Sequence, residues 1–131
     1  MNQKKISVGN KIKSTGVGGF TFKGSTTKYF EDHITKSIPF FRESHKLTAK
    51  ISTFFISDKS IVYDLGCSTG LTSRSIFEAN QNKNFTTYGL DLSKEMIRDA
   101  KKKLNNKNKN KIKYICGDVL KKKIKKSDLI V

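Results

Sequence analysis

One ten-residue stretch, Ile61–Gly70, constrains the fold of this chain more than any other part of it. A short apolar run ends at Asp64 and Leu65, breaks into a loop of small residues, and is followed by residues at helical spacing. A strand, an acid, a tight turn and the start of a helix form the arrangement in which a parallel sheet holds a nucleoside-bearing ligand against bare backbone. The stretch therefore predicts both an α/β fold and a class of ligand.

The residues around this stretch alternate between strand-like and helix-like patterns. We predict strands over residues 61–65, 85–90, 112–115 and 128–131, and helices over residues 29–37, 71–79 and 93–104. Ser93 is the predicted N-cap of the last of these helices. Strands that alternate with helices of this length imply a parallel sheet with right-handed crossovers.

An additional amphipathic helix is predicted between Pro39 and about residue 58. Its apolar residues recur at helical spacing, and they are Phe40, Leu47, Ile51, Phe54 and Phe55. We expect these side chains to pack against the sheet as part of the core.

Composition sets the outer limits of the protein. Its 131 residues suffice for one small domain, which we predict over residues 28–131, after a flexible basic arm over residues 1–27. The net charge of +16 allows two interpretations, namely attraction to RNA or an AT-rich coding bias that makes Lys, Asn and Ile abundant together. No apolar run approaches the roughly 20 residues of a membrane helix, so we predict a cytoplasmic protein without a membrane partner. Cys67 and Cys116 lack the spacing of a zinc site or a disulfide framework, and no metal is predicted.

An acid stands at or just beyond the end of three predicted strands, as Asp64, Asp91 and Asp118. In an open parallel sheet the ligand crevice lies outside the carboxyl ends of the strands, so these side chains are predicted to share one rim. Asp91, about 20 residues beyond the loop, is placed to accept hydrogen bonds from ribose hydroxyls. Asp118 could receive the exocyclic amine of an adenine. The alternative is that Asp64 and Asp118 only cap turns.

The sequence of the loop indicates which kind of adenine compound it could bind. Gly66, Ser68 and Gly70 remove side-chain bulk, so a ligand could approach the backbone. Ser68 and Leu71 break the G-x-G-x-x-G dinucleotide fingerprint, and the G-K-[ST] ending of a phosphate-binding loop is missing. The loop fits the G-x-S-x-G elbow of hydrolases, but that site needs a downstream histidine, and both histidines lie upstream. A phosphate-free adenosine compound therefore fits best.

Three segments together resemble the motifs of class I S-adenosylmethionine-dependent methyltransferases. Asp64–Gly70 resembles the first motif, Gly89–Ser93 the second and Cys116–Val119 the third, and the resemblance covers about residues 40–131. It implies a Rossmann-like, doubly wound parallel sheet, truncated after the fourth strand, with S-adenosyl-L-methionine as the cofactor. The cofactor-binding residues that it implies are Asp64, Gly66, Cys67, Ser68, Gly70, Asp91, Leu92, Asp118 and Val119.

The resemblance also implies a role for each part of this set. The loop would approach the methionine portion of the cofactor, and Asp64 would organise the loop and face the amino group of that portion. Asp91 would hold the ribose, and Asp118 with Val119 would border the adenine. Ser68 stands where many members of the family carry glycine. No catalytic residue is identified.

A narrower resemblance concerns residues 30–41 and Val62–Ser68, which are similar to the start of the carboxy-S-adenosylmethionine synthases. Those enzymes convert the cofactor with prephenate and help to modify the wobble uridine of tRNA. Phe41 stands where that family places a tyrosine, and the family's carboxylate-binding arginine falls in a later part of the fold. The alternatives are a catalytically silent cofactor-binding module and a basic RNA-binding module, and a second copy of the chain is a candidate partner that completes the sheet.

Overall fold

The computed structural model describes the backbone of residues 25–131 and the side chains of residues 29–131. The elements of this part are α1 (Ser25–Ser37), α2 (Phe41–Ser52), β1 (Ile61–Leu65), α3 (Leu71–Ala79), β2 (Thr86–Asp91), α4 (Lys94–Lys102), β3 (Ile112–Cys116), a 3-10 turn (Val119–Lys121) and β4 (Leu129–Ile130). The predicted arm lies outside the described residues except for residues 25–27, which belong to α1 and extend this helix beyond its predicted start.

The four strands form one parallel sheet in the order β3-β2-β1-β4. The chain runs outward from β1 through β2 to β3 and then returns to pair β4 with the other side of β1. This return is the reversal of strand order that marks the ligand crevice of doubly wound sheets. The predicted parallel sheet is confirmed, and the carboxyl ends of all its strands lie at one edge.

The core lies between the sheet and the helices that connect its strands. Along β3 the buried Ile112 and Tyr114 alternate with the exposed Lys113 and the half-buried Ile115. Ile112 and Tyr114 pack with Val62 of β1, Ile76 of α3 and Ile97 of α4. Alternation follows from the pleat, which sends successive side chains to opposite faces of a sheet. The opposite face carries a row in which Tyr63 stacks on Tyr88 at 5.3 Å between ring centroids.

Local chemistry explains the element boundaries. Pro39 separates α1 from α2, because its ring disfavours helical backbone at the residue before it. The Ser93 hydroxyl accepts a hydrogen bond from the Met96 amide at 3.2 Å, which confirms the predicted N-cap of α4.

The predicted packing of α2 is wrong. The side chains expected in the core are exposed, by 78% at Phe40, 59% at Leu47 and 83% at Phe54. The buried side of α2 instead consists of small residues, Ala49 and Ser52, and it lies against α3. The spacing of apolar residues shows that one side of the helix differs from the other. The close approach of α2 to α3, however, leaves room only for the side with small side chains. The helix also ends at Ser52, earlier than predicted.

In the part of the chain that the structure describes, each helix is too short or too polar to cross a lipid bilayer.

Candidate functional site

Backbone hydrogen bonds join the carboxyl ends of three strands into one rim. The amides of Gly66 and Cys67 donate to the Leu90 carbonyl at 2.8 and 2.9 Å, which ties the loop after β1 to the end of β2. The Gly117 amide donates to the Asp91 carbonyl at 2.9 Å and ties the end of β3 to the same place. The predicted gathering of the motif segments at one edge of the sheet is therefore present.

The loop between β1 and α3 turns through left-handed backbone. Gly66 and Gly70 have φ angles of 74° and 76°, and Ser68 has a φ of 50°, which is uncommon for a residue with a side chain. A Cβ added at Gly66 would meet no heavy atom within 4 Å. Gly66 thus presents bare backbone to open space, where a ligand could approach it.

Asp64 is buried at 4% exposure beneath this loop. Its carboxylate accepts hydrogen bonds from the amide of Ser73 at 3.0 Å and from the hydroxyl of the same residue at 2.5 Å, near the start of α3. Burial raises the pKa of the Asp64 carboxyl, and the two Ser73 hydrogen bonds oppose this effect without cancelling it. Asp64 therefore organises the junction of loop and helix.

Asp91 connects the loop to the start of α4. One carboxylate oxygen accepts from the Ser68 amide at 2.8 Å, and the other accepts from the Ser93 amide at 2.8 Å. Each oxygen of a carboxylate can accept more than one hydrogen bond, so Asp91 keeps capacity for hydroxyl donors of a ligand. Leu92 follows it with a side chain that is 72% exposed at the rim.

Asp118 lies beyond β3 and begins the 3-10 turn. Its carboxylate accepts from the Leu120 amide at 2.9 Å, and it lies 3.9 Å from the Lys121 ammonium. Val119, the next residue, is half-buried. The capping roles of Asp64 and Asp118 agree with the alternative interpretation. The Asp118 side chain stays 33% exposed, whereas Asp64 is buried beneath the loop.

A cavity of about 230 Å³ opens between the loop and the first two helices. Three of the predicted site residues line it, Gly66, Cys67 and Ser68, whereas the three predicted acids do not. The remaining wall comes from the loop residue Thr69 and from α1, α2 and the start of α3, whose lining residues are Phe30, Glu31, Ile34, Phe41, His45, Leu71 and Thr72. Apart from Phe41, sequence reasoning did not select the helical residues as site residues, because a helix without a motif gives no sign of which side faces the loop.

Tyr114 supports the loop from below and was also missed. Its hydroxyl donates to the Gly70 carbonyl at 3.1 Å, and a Cβ added at Gly89 would come within 2.6 Å of its ring. Burial raises the pKa of Tyr114 to about 12, so the hydroxyl stays protonated and remains a donor. A glycine inside a strand often marks the close approach of another group, and Gly89 was that signal.

Cys67 is buried at 5% exposure between the loop and the sheet. Burial raises the pKa of its thiol, and the nearby charges of Asp64 and Asp91 raise it further. The thiolate is the reactive form of cysteine, so Cys67 serves here as a small apolar wall of the cavity.

Glu31 brings α1 to the loop. Its carboxylate accepts hydrogen bonds from the Thr69 hydroxyl, from Arg74 Nη2 at 3.1 Å and from Lys103 Nζ at 2.6 Å. Burial alone would raise the pKa of Glu31, but the hydrogen bonds from Lys103 and Thr69, with the charges of Lys103 and Arg74, hold it below its usual range.

The sequence of this chain is similar to a family of methyltransferase domains and to two named enzymes. The methyltransferase domain family matches residues 62–131. The chain is 29% identical over 119 residues to the carboxy-S-adenosyl-L-methionine synthase of Ruthia magnifica, a match that covers 91% of this chain and 50% of that protein. It is 38% identical over 84 residues to the synthase of Campylobacter jejuni, and here the match covers 64% of this chain and 35% of that protein. The chain thus spans at most about half the length of these two relatives.

Solved structures share the fold. A candidate S-adenosyl-L-methionine-dependent methyltransferase from Methanococcus maripaludis superimposes with a TM-score of 0.65 at 23% identity, over 89% of this chain and 52% of that one. The plantazolicin methyltransferase BpumL, solved with S-adenosylhomocysteine, superimposes with a TM-score of 0.55 at 25% identity, over 79% of this chain and 39% of that one. With the family match covering more than half of the residues and beginning in β1, this chain belongs to the methyltransferase domain family.

Proposed function

We propose that this chain is a cytoplasmic protein that binds S-adenosyl-L-methionine at the rim of the sheet. It would act as the cofactor-binding part of an enzyme of the carboxy-S-adenosyl-L-methionine synthase kind, which modifies the cofactor for use on tRNA. One observation carries the proposal: the Asp91 carboxylate is fixed beside the loop by the Ser68 and Ser93 amides, next to bare backbone at Gly66.

Each predicted residue has a role in this proposal. Asp91 accepts hydrogen bonds from the ribose hydroxyls, and Leu92 covers the same sugar. Asp118 and Val119 border the adenine. Asp64 holds the loop through Ser73 and provides negative charge near the cationic amino group of the methionine portion.

The loop residues of the same set contact the methionine portion directly. Gly66 and Gly70 allow the left-handed turn that brings the backbone close to the ligand. Cys67 and Ser68 line the cavity beside it. The bound cofactor supplies a sulfonium whose positive charge makes the attached carbon electrophilic, and the protein contributes mainly by holding the reactants in line.

Calorimetric titration with S-adenosylhomocysteine tests the assignment of Asp91. Asp91→Asn keeps the size of the side chain but removes its charge, and we expect binding to weaken about tenfold, which is about 1.4 kcal/mol. Asp58→Asn is the matched control, because Asp58 is exposed and accepts from the Asn84 amide at 2.7 Å, at the amino ends of β1 and β2. Equal affinities of the wild type and Asp91→Asn would contradict the ribose role.

Mass spectrometry separates the enzyme from the silent module. The protein is incubated with S-adenosyl-L-methionine and prephenate, and the small molecules are then analysed. A carboxylated cofactor supports the synthase. Binding of S-adenosylhomocysteine without this product supports a module that holds the cofactor only.

A groove along α4 supports the RNA-binding alternative. Lys94, Arg98, Lys101 and Lys102 line it around an apolar floor that includes Ile97 and Cys116. The first three of these cations recur at helical spacing on one side of α4, where they could neutralise successive phosphates.

A charge-matched pair of variants tests this alternative. Replacement of the four groove cations by Gln should weaken RNA binding and reduce its salt dependence. The control replaces four exposed lysines outside the groove by Gln, namely Lys46, Lys50, Lys123 and Lys126. Equal losses in both variants would mean that the net charge alone attracts RNA.

A second copy of the chain is the proposed protein partner. In the described part of the chain, β4 pairs with β1 on one side only, and Ile130 is 53% exposed. An unpaired strand edge of this kind is a template for another strand.

A further inference from the structure

Glu31 is the point at which three separate elements meet α1. The Thr69 hydroxyl comes from the loop, Arg74 from α3 and Lys103 from the end of α4, and all three donate to the same carboxylate oxygen. The Glu31 side chain is only 30% exposed. A carboxylate that is partly withdrawn from water and bonded to two cations makes stronger hydrogen bonds than an exposed pair.

Thr69 is held from two directions as a result. Its hydroxyl donates to Glu31, and its carbonyl accepts from Arg74 Nη1 at 2.6 Å. Arg74 in turn donates from Nη2 to Glu31, which closes a ring of three residues around the loop. Thr69 is 1% exposed, so this ring fixes a buried part of the loop that lines the cavity.

The same contact holds the helix that forms one wall of the cavity. Phe30, Glu31 and Ile34 of α1 form one wall of it, opposite Gly66 and Ser68. Displacement of α1 would therefore open the cavity on that side. Asp32, the neighbour of Glu31, instead pairs with Lys36 of the same helix at 2.9 Å, and both of these side chains are more than half exposed.

We propose that Glu31 is a positioning residue that locks α1 over the cavity and fixes the Thr69 loop for the cofactor. Docking of α1 and binding of the cofactor are then coupled, so each favours the other. The coupling rests on the proposed function, whereas the lock itself is a property of the free protein.

Hydrogen exchange of the free protein tests the lock. In Glu31→Gln, the loss of charge weakens the bonds to Arg74 and Lys103, and we expect the amides of residues 29–37 to exchange at least about tenfold faster. Asp32→Asn is the matched control on the same helix, and it should leave this exchange unchanged. Unchanged exchange in Glu31→Gln would overturn the proposal.

Titration with S-adenosylhomocysteine tests the coupling. We expect Glu31→Gln to bind about tenfold more weakly than the wild type, within the usual range of coupling between sites, and Asp32→Asn to bind normally. In the wild type, the ligand should also slow exchange in α1. Failure of the wild type to bind refutes the proposed function, while exchange in the free protein still decides the lock.

Lys103→Gln provides a second variant, should Glu31→Gln lose the far-ultraviolet dichroism of the wild type. It removes the 2.6 Å bond to Glu31 and leaves Arg74 and Thr69 in place. We expect faster exchange in α1 and weaker binding of S-adenosylhomocysteine, each less than in Glu31→Gln. Wild-type exchange in this variant, with Glu31→Gln unfolded, would overturn the proposal.

Discussion

Phe40 holds a backbone conformation that bulky residues rarely adopt. It precedes α2 with a φ of 58°, and its side chain is 78% exposed, so little packing compensates the steric cost. Left-handed backbone costs an L-residue about 1–2 kcal/mol, whereas glycine adopts it freely.

We therefore expect Phe40→Gly to raise the free energy of unfolding by about 0.5–1 kcal/mol, after the extra entropy that glycine adds to the unfolded chain. Urea denaturation measures this change. Phe54→Gly is the control, because Phe54 is 83% exposed but does not have a positive φ. A loss of stability in Phe40→Gly would contradict this prediction, because it would mean that the exposed ring stabilises the native state by more than the backbone strain costs.

Asp64 makes the stability of the protein depend on pH, and the direction of its pKa shift gives the sign of this dependence. Burial raises the pKa of its carboxyl above the ordinary value of 3.8. A raised pKa means that the native state binds this proton more tightly than the unfolded state does. Protonation of Asp64 therefore stabilises the native state fully below pH 3.8, and this stabilisation is lost as the pH rises through the native pKa. We expect Asp64→Asn, which removes the ionisation, to be more stable than the wild type at neutral pH.

Urea denaturation between neutral and acid pH measures this difference, which should shrink as the pH falls toward 3.8. The pH dependence of stability that Glu31 causes has the opposite sign. Its pKa is lowered from 4.5, so its contribution to stability disappears as the pH falls. Glu31→Gln should therefore lose stability mainly at neutral pH. A constant gap between wild type and Asp64→Asn at all pH values would contradict the assignment.

At the scale of the element, the stability of α4 depends on Ser93, the residue that precedes it. The Ser93 hydroxyl caps the helix through the Met96 amide, and such caps contribute about 1 kcal/mol. We expect Ser93→Ala to lower the free energy of unfolding by about that amount. The Ser93 amide that donates to Asp91 belongs to the backbone, so the variant retains that bond.

Ser44→Ala is the matched control for this measurement. The Ser44 hydroxyl donates to the Phe41 carbonyl at 2.8 Å on the exposed side of α2, whereas a capping hydroxyl accepts from one of the orphan amides of a helix start. Its stability should stay within about 0.5 kcal/mol of the wild type. Equal losses in the two serine variants would argue against a special role of the cap.

Most elements were predictable from local pattern, because their signals are local. The strand Ile61–Leu65 and the helix Leu71–Ala79 have the predicted limits, and Pro39 and Ser93 mark boundaries through their own backbone and side-chain chemistry. The exposed side of α2 was not predictable, since nothing within 41–52 states that the small residues Ala49 and Ser52 face α3.

At the scale of the whole molecule, the edge of β4 that has no partner strand within residues 25–131 predicts self-association. We expect the weight-average mass in sedimentation equilibrium to rise with protein concentration and Ile130→Lys to reduce this rise, because a charge on an edge strand opposes further pairing. Leu120→Lys adds the same charge at a residue that is 94% exposed and lies outside the strands, so it serves as the control.

Phe54→Lys extends the test to a second exposed apolar surface, which Phe54 forms just after the end of α2. A reduction by Phe54→Lys alone would assign association to this surface and contradict the proposal for the sheet edge. A chain of net charge +16 repels its own copies, so these measurements are made at about 0.15 M salt, where the Debye length is about 8 Å.

The sequence by itself determined that the sheet is parallel, the order of strands and helices along the chain, and the segments that meet at the rim. It did so because strand ends, turns and caps depend on residues close together in the chain, and because parallel strands bring their carboxyl ends to one edge. Only the tertiary structure decided that Glu31 joins Thr69, Arg74 and Lys103, and that Tyr114 lies under Gly70. These contacts join residues 38 to 72 positions apart, and their geometry depends on how helices pack on the sheet.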